Sequence, residues 1–412
     1  RGRKGQEYVE VNAYGKRMGA IDDMPNRDPV PGHDVTLTID SRLQLVAEEA
    51  FADTLCGAVV ALDPRTGEVL VMLSQPSVDA NIFSQASSLR SKGWQGIVTD
   101  PSRPLNNRAT TGIYTPGSTF KLVSALAGLG SGRITPSSTM PRACTGVYYI
   151  GRMPKHCWYW KGHGHVNVAE AIQVSCNVYF YQLGLMLGDS LINHYARELG
   201  LGKLTGIDLP RETDGWLSGE KLYNERHANR GWTWTDGLNC DHAIGQTQSM
   251  TPLQLARMAA TIATGGPLLR PHLLKEVRTH NGVVVEQQLP EILAELDLDS
   301  AALAAVREGM VRVLGPGGTA GRARVEGVAV GGKTGSAEWK KGEKTHGLFV
   351  GCAPMDDPQI AIAVVVENAG HGGSVAAPIA GKVFNYYFNE IVQPDVIADA
   401  DSATSGSSRA EG

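Results

Sequence analysis

Ser118 and Lys121 stand three residues apart in Thr115-Pro116-Gly117-Ser118-Thr119-Phe120-Lys121, and together they could carry out nucleophilic catalysis. A serine hydroxyl is a weak nucleophile until a neighbouring base takes its proton. A lysine can be that base where burial and nearby cations lower its pKa. On a helix the spacing puts both side chains on one face, a turn apart. A serine at the helix N-terminus also meets unpaired backbone N–H groups and the positive end of the macrodipole, which stabilise developing negative charge. Alone, the pair is weak evidence, because an N-cap serine followed by a solvated lysine is written the same way. Ser175-Cys176-Asn177 and Lys333-Thr334-Gly335-Ser336 are two further groups that could take part. Singly, they read as an N-cap serine and as a strand closing in a Gly-rich turn.

Each group needs an element to hold it. Pro116 and Gly117 break the chain just before the apolar-periodic run Phe120, Leu122, Val123, Ala125, Leu126 and Ala127, so a helix opens near Ser118. Val35–Ile39 alternates as a strand, and Asp40 or Ser41 then caps a helix through Leu43, Leu45, Val46 and Ala50. The β-rich runs of residues 57–73 flank a Pro/Gly turn and predict an antiparallel hairpin. Residues 75–117 read as loop-rich. From 166 to 265 the pattern is mostly helical, and Leu303–Leu314 is another amphipathic helix. Gly327–Lys333, His346–Ala353 and Gln359–Glu367 are strand candidates, followed by a helix from about 376 to 391. The order predicts an α/β domain whose antiparallel sheet takes strands from both ends of the chain, with a helical segment inserted. The expected boundaries are an N-terminal segment at 1–32, this domain at 33–393 and a Ser/Ala/Gly/Asp-rich disordered tail at 394–412.

At 412 residues with 42% hydrophobic and 19% charged residues, the chain can bury a large core. A net charge of −4 without any basic block gives no sign of nucleic-acid binding. No apolar run reaches the roughly 18 residues of a membrane span. The chain opens on Arg1-Gly2-Arg3-Lys4 with no signal peptide, so an upstream anchor is expected outside it.

The order Ser-x-x-Lys, Ser-x-Asn, Lys-Thr-Gly-Ser resembles the active-site set of the penicillin-recognising serine acyl enzymes. More closely, the chain resembles the class B penicillin-binding proteins. Leu37–Asp40, Asp63–Leu70, Asn107-Arg108-Ala109, Tyr114–Lys121, Ile244-Gly245-Gln246, Thr251–Gln254 and Gly318-Thr319-Ala320 all carry that likeness, which covers roughly residues 5–392. Glu7–Gly15 and Trp160–Val168 point to the elongation-type transpeptidases, with the division-specific enzymes as the alternative. The resemblance implies the penicilloyl-serine transferase (serine β-lactamase-like) fold, with an all-helical subdomain and, at 1–32, the end of an N-terminal pedestal domain. It also implies roles. Ser118 attacks the carbonyl between two D-alanines of a peptidoglycan stem peptide, and Lys121 takes its proton. Ser175 passes that proton to the leaving amine, while Asn177 bonds Lys121 and the substrate amide. Lys333 adds a positive charge that keeps Lys121 neutral and attracts the substrate carboxylate. Thr334 and Ser336 bond that carboxylate, Gly335 leaves room for substrate, and the N–H groups of Ser118 and Ser336 form the oxyanion hole. Where the family's second motif is written Ser-Asp-Asn, Cys176 stands here at a position that varies across the superfamily.

Six cysteines occur, and Cys144, Cys157 and Cys176 fall with His163 in the pattern C-x12-C-x5-H-x12-C. Three thiolates and an imidazole suit a closed structural zinc tetrahedron, and some elongation-type members of the family carry zinc beside the second motif at positions that resemble these. A Cys144–Cys157 disulfide and plain buried thiols are the alternatives; His156 and His165 compete for the histidine position. Cys56, Cys240 and Cys352 read as core residues. The family resemblance further implies β-lactams as inhibitors, a membrane glycosyltransferase and elongation scaffold proteins as partners, and a periplasmic domain anchored in the inner membrane. A β-lactam sensor uses the same acylation chemistry. A β-lactamase would need a deacylating base, and no glutamate stands in a recognisable context for one.

Overall fold

The computed structural model describes residues 1–21, 26–51, 55–296, 299–339 and 342–392; the tail expected at 394–412 lies outside them. The chain divides into two compact units. The first comprises Arg1–Thr38 with His272–Leu289. Within it Val9–Val11 pairs antiparallel with Arg17–Ala20, and a second sheet runs in the order Val284–Gln287, Leu274–Arg278, Asp34–Leu37. Residues 272–289 therefore join the N-terminal segment as a hairpin, an excursion that the sequence pattern does not signal.

The second unit holds the groups of chemical interest. Its sheet has five antiparallel strands in the order Gly331–Ala337, His346–Ala353, Ile360–Val366, Gly57–Leu62, Val69–Gln75. Both ends of the chain contribute, as the element order predicts. All seven residues of Ile360–Val366 are buried, so alternating side chains on both faces of the strand are covered. The cover comes from the Pro252–Thr264 helix, packed on the three central strands, and from the Gly372–Tyr386 helix, packed on His346–Ala353 and Ile360–Val366. Sequence-visible caps set several helix starts. Asp40 accepts from the N–H groups of Arg42 and Leu43 at 2.9 and 3.0 Å ahead of the Ser41–Phe51 helix. Thr251 and Gln254 form a reciprocal capping box around Pro252.

Several elements differ from the sequence pattern. Lys333-Thr334-Gly335-Ser336 lies inside the Gly331–Ala337 strand and does not end it, because pairing with His346–Ala353 continues through Ala337. The last helix begins at Gly372 and runs to Tyr386 before a wider π-helical turn over Tyr387–Val392. The stretch expected as loop contains a helix at Ser87–Thr99. Residues 147–156 form an antiparallel hairpin, Val147–Ile150 with Met153–His156. The long Asn177–Glu198 helix is interrupted at Gly188, whose φ of 70° and ψ of 171° are non-helical. None of the six cysteines is in a disulfide, which removes the Cys144–Cys157 bridge as a reading. Cys240 and Cys352 are core residues as expected, whereas Cys56 is half-buried.

Candidate active site

The segment carrying Ser118 is a 3-10 turn, Gly117–Phe120, running directly into the Lys121–Gly130 helix. In 3-10 geometry side chains three apart eclipse, which puts Ser118 and Lys121 on one side of the segment. Gly117 makes the turn possible. Its φ is 54°, and a Cβ there would lie 2.9 Å from the carbonyl oxygen of Ser336. The turn is thereby pressed against the Lys333–Ser336 strand, and it is held from behind by a hydrogen bond from Gly117 N–H to Gly245 O at 3.0 Å. Ser124, one turn further along the helix, donates to Ala243 O at 2.8 Å.

Ser175 lies between the Val168–Gln173 and Asn177–Glu198 helices. The cap of the second helix is Cys176, whose Sγ accepts from Tyr179 N–H at 3.5 Å; Ser175 is thus free of capping. Its φ of 54° is strained for a residue with a Cβ and turns Oγ toward the two lysines. Lys333 Nζ donates to Ser175 Oγ at 2.9 Å and to Thr334 O at 3.2 Å. Lys121 Nζ reaches Ser175 O at 2.9 Å, Ser175 Oγ at 3.2 Å and Asn177 Oδ1 at 2.6 Å. Asn177 donates in turn to His156 O at 3.3 Å. All three motifs, more than 200 residues apart end to end in the sequence, meet at one hydroxyl.

Both lysines are fully buried, and burial disfavours their charged forms. Lys121 is lowered to about 8 by burial, opposed by the negative charge of the nearby cysteines, Cys157 foremost. Lys333 is pushed well below the usual lysine range by burial and then by the charge of Lys121. That direction runs against the expectation that Lys333 holds its charge and keeps Lys121 neutral, and the pH profile of acylation decides between the two orders.

A cleft of about 350 Å³ opens above the lysines, lined by Ser118, Ser175, Asn177, Thr334, Gly335 and Ser336. Three further lining residues had no role in the sequence reading. Thr319 shares a 2.7 Å hydrogen bond between hydroxyls with Thr334. His371, just ahead of the Gly372–Tyr386 helix, has Nδ1 3.4 Å from Ser336 Oγ. Trp158 donates from Nε1 to Val174 O at 2.9 Å and so ties the 147–164 region to the Ser175 loop. Thr319 was legible as part of Gly318-Thr319-Ala320; Trp158 and His371 carried no motif.

Behind Ser175 the donor atoms of Cys144, Cys157, His163 and Cys176 all lie within 4.8 Å of one another. His163 Nδ1 is 3.5 Å from Cys157 Sγ and 3.7 Å from Cys144 Sγ. Those separations match the edges of about 3.6 Å that a tetrahedron of S and N ligands at ordinary zinc distances would have. The chain is pinned at the cluster: Cys144 and Gly164 exchange backbone hydrogen bonds at 2.8 and 2.9 Å. A hydrogen bond from the Cys176 thiol holds Cys157 well below the usual thiol range and pushes Cys176 up. The residues fit a four-ligand metal site, and His156 and His165 are not among the converging ligands.

The sheet with helices on both faces, the inserted helices and a serine at a buried lysine pair define a serine acyl-transfer fold. The chain belongs to the penicillin-binding protein transpeptidase domain family, whose model matches residues 57–385. It is 34% identical over 402 residues to the peptidoglycan D,D-transpeptidase MrdA of Acinetobacter baumannii, covering 94% of this chain and 58% of that protein. The chain therefore spans somewhat over half the length of that relative. Among solved structures it is similar to Pseudomonas aeruginosa PBP2 in complex with WCK 5153, with 36% identity and a TM-score of 0.76 over 88% of this chain and 77% of that one. It is likewise similar to Helicobacter pylori PBP2 in its complex with MreC, with 30% identity and a TM-score of 0.77 over 94% and 69% of the two chains.

Proposed function

We propose that this chain is the transpeptidase part of an elongation-type class B penicillin-binding protein, which cross-links peptidoglycan stem peptides through an acyl-enzyme on Ser118. The observation that carries the reading is the position of Ser175 Oγ, 3.2 Å from Lys121 Nζ and 2.9 Å from Lys333 Nζ, under a cleft that reaches Ser118. Ser118 Oγ adds to the carbonyl of the penultimate D-alanine as its proton passes to neutral Lys121. The N–H groups of Ser118 and Ser336, whose backbones adjoin at Gly117, receive the oxyanion. Collapse breaks the amide, and the proton returns through Ser175 to the departing D-alanine amine. The amine of a second stem peptide then attacks the ester, forming the cross-link and restoring the Ser118 hydroxyl. Thr334 and Ser336 bind the substrate carboxylate, Gly335 leaves room beside the strand, and Asn177 orients Lys121 and the substrate amide. Entry of that carboxylate favours a proton on Lys333, and repulsion from it then frees Lys121 to act as base.

Cys144, Cys157, His163 and Cys176 would hold a zinc ion with no open coordination position, so the metal would fix the loop carrying Ser175 and Asn177 and would activate no water. The MrdA and PBP2 likenesses support the elongation assignment over the division one. The MreC complex of the Helicobacter protein supports a scaffold partner for this chain, to which we add a membrane glycosyltransferase. No helix among the described residues is long and apolar enough to cross a membrane; a periplasmic position, with an anchor elsewhere in the protein, fits the substrate. Intact-mass analysis after incubation with a penicillin tests the core of the reading. One adduct per chain, absent from Ser118→Ala, is expected; a folded wild type that stays unmodified would refute it. Elemental analysis of the same sample should find one zinc per chain, and a metal-free folded protein would remove the zinc assignment.

A further inference from the structure

Three aromatic residues in a row, Trp158, Tyr159 and Trp160, are exposed by 60, 37 and 76%. Large rings standing in water forgo the stabilisation that burial would bring, and consecutive ones form a patch that single exposed side chains do not. Their support is rigid. Trp158 is tied to Val174 by its indole N–H, and the rings of Trp158 and Tyr159 lie 5.6 and 5.3 Å from that of His163. Trp160 stands 76% exposed with the Lys161 ammonium 5.4 Å from its ring centroid, so most of its ring lies outside the packing of the fold.

The patch is continuous with the cleft, because Trp158 lines both. Trp160 follows two residues later, so its Cα is within about 7.6 Å of that of Trp158. A stem pentapeptide held by its D-Ala end over Ser118 extends up to about 17 Å, long enough to leave the cleft over the rim that Trp158 shares with the patch. The surrounding charge suits the same occupant. No Asp or Glu occurs between Arg142 and Ala169, while Arg142, Arg152, Lys155 and Lys161 do; of these Lys155 is paired with Asp241 at 2.6 Å. Exposed rings offer flat apolar faces to the C–H faces of sugars, and the excess of positive charge along this stretch suits the carboxylates of stem peptides.

We propose that the Trp158–Lys161 turn is a subsite for the glycan strand that carries the donor stem, with Trp160 stacking on a sugar ring. This inference rests on the acyl-enzyme reading above and narrows its substrate to strand-borne stems. The test follows acylation by a fluorescent penicillin in competition with either free stem pentapeptide or short glycan strands bearing the same stems. On the wild type the strands should compete about tenfold better per stem, the size of one ring-stacking contact. Trp160→Ala should reduce the strands to the level of the pentapeptide, Trp160→Phe should keep most of the advantage, and acylation without competitor should be equal in all three proteins. The subsite is overturned if strands and pentapeptide compete equally on the wild type, if Trp160→Ala leaves the advantage intact, as it would were the patch a protein-docking surface, or if it weakens both competitors alike. A wild type that the penicillin does not acylate would overturn the acyl-enzyme reading itself, and the subsite with it.

Discussion

Replacing Lys333 by methionine asks which lysine holds the proton at rest. The two distances to Ser175 Oγ, 3.2 and 2.9 Å, cap the separation of the ammonium groups at about 6.1 Å. Two unit charges about 6 Å apart, at the effective dielectric of roughly 20 that suits such sites, repel by about 2.7 kcal/mol, or about two pKa units. That repulsion adds to the burial of both ammonium groups in opposing two charges at once, and burial with the charge of Lys121 pushes Lys333 down. Lys121 acts as base only when deprotonated, so the acylation rate constant at low β-lactam concentration should rise with pH and level off above its value of about 8. With that midpoint the base form is roughly a tenth of the total at pH 7 and half at pH 8, so acylation rises about fivefold between them. If Lys333 is already neutral in the free enzyme, Lys333→Met removes no charge. Acylation slows because the carboxylate site and the Ser175 hydrogen bond are lost, but the midpoint stays within about half a unit. A reporter β-lactam followed from pH 6 to 9.5, with long incubations for the slow variant, gives both profiles. A midpoint that climbs by about two units in the variant would mean that Lys333 carried the charge in the parent, as the sequence-based expectation has it, and would refute a neutral Lys333.

Two further perturbations probe how the site is held. Gly117→Ala places a Cβ 2.9 Å from Ser336 O at a φ of 54°, so it should lower stability by about 1–3 kcal/mol and slow acylation more than the fall in Tm accounts for. Unchanged acylation would show that the turn has slack. Glu367 accepts hydrogen bonds from Arg108 Nε at 2.9 Å and from Tyr114 OH at 2.6 Å, and Arg108 is only 8% exposed. Glu367→Gln should cost about 3 kcal/mol by leaving a buried guanidinium without its counter-charge. Denaturant unfolding would measure it, and a loss under about 1 kcal/mol would place that ion pair among the dispensable ones.

What the sequence revealed depended on whether a property was local. The Ser41 helix, the 57–73 hairpin and the Thr251 capping box were legible because caps, turns and periodicity act over a few residues. The three motifs were legible only as an ordered set, since each alone has a local explanation. Their convergence on Ser175 Oγ comes from long-range packing, and spacing along the chain carries no record of it. The Lys333 strand was placed four residues early because Gly331 and Gly332 look like a terminus, whereas the ladder with His346–Ala353 runs on through them to Ala337 and tertiary pairing overrides glycine's weak strand preference. The proton order is not legible in the sequence for the same kind of reason. Sequence supplies two lysines of equal intrinsic basicity, and only their complete burial and their different neighbours, cysteines acting on Lys121 and Lys121 acting on Lys333, make them unequal. The Cys/His cluster was visible by residue type and spacing, but its contact with the Ser175 loop through Cys176 turns a structural feature into one that bears on the acylation site. Loosening the cluster should therefore disturb the hydroxyl on which both lysines depend before it disturbs the sheet.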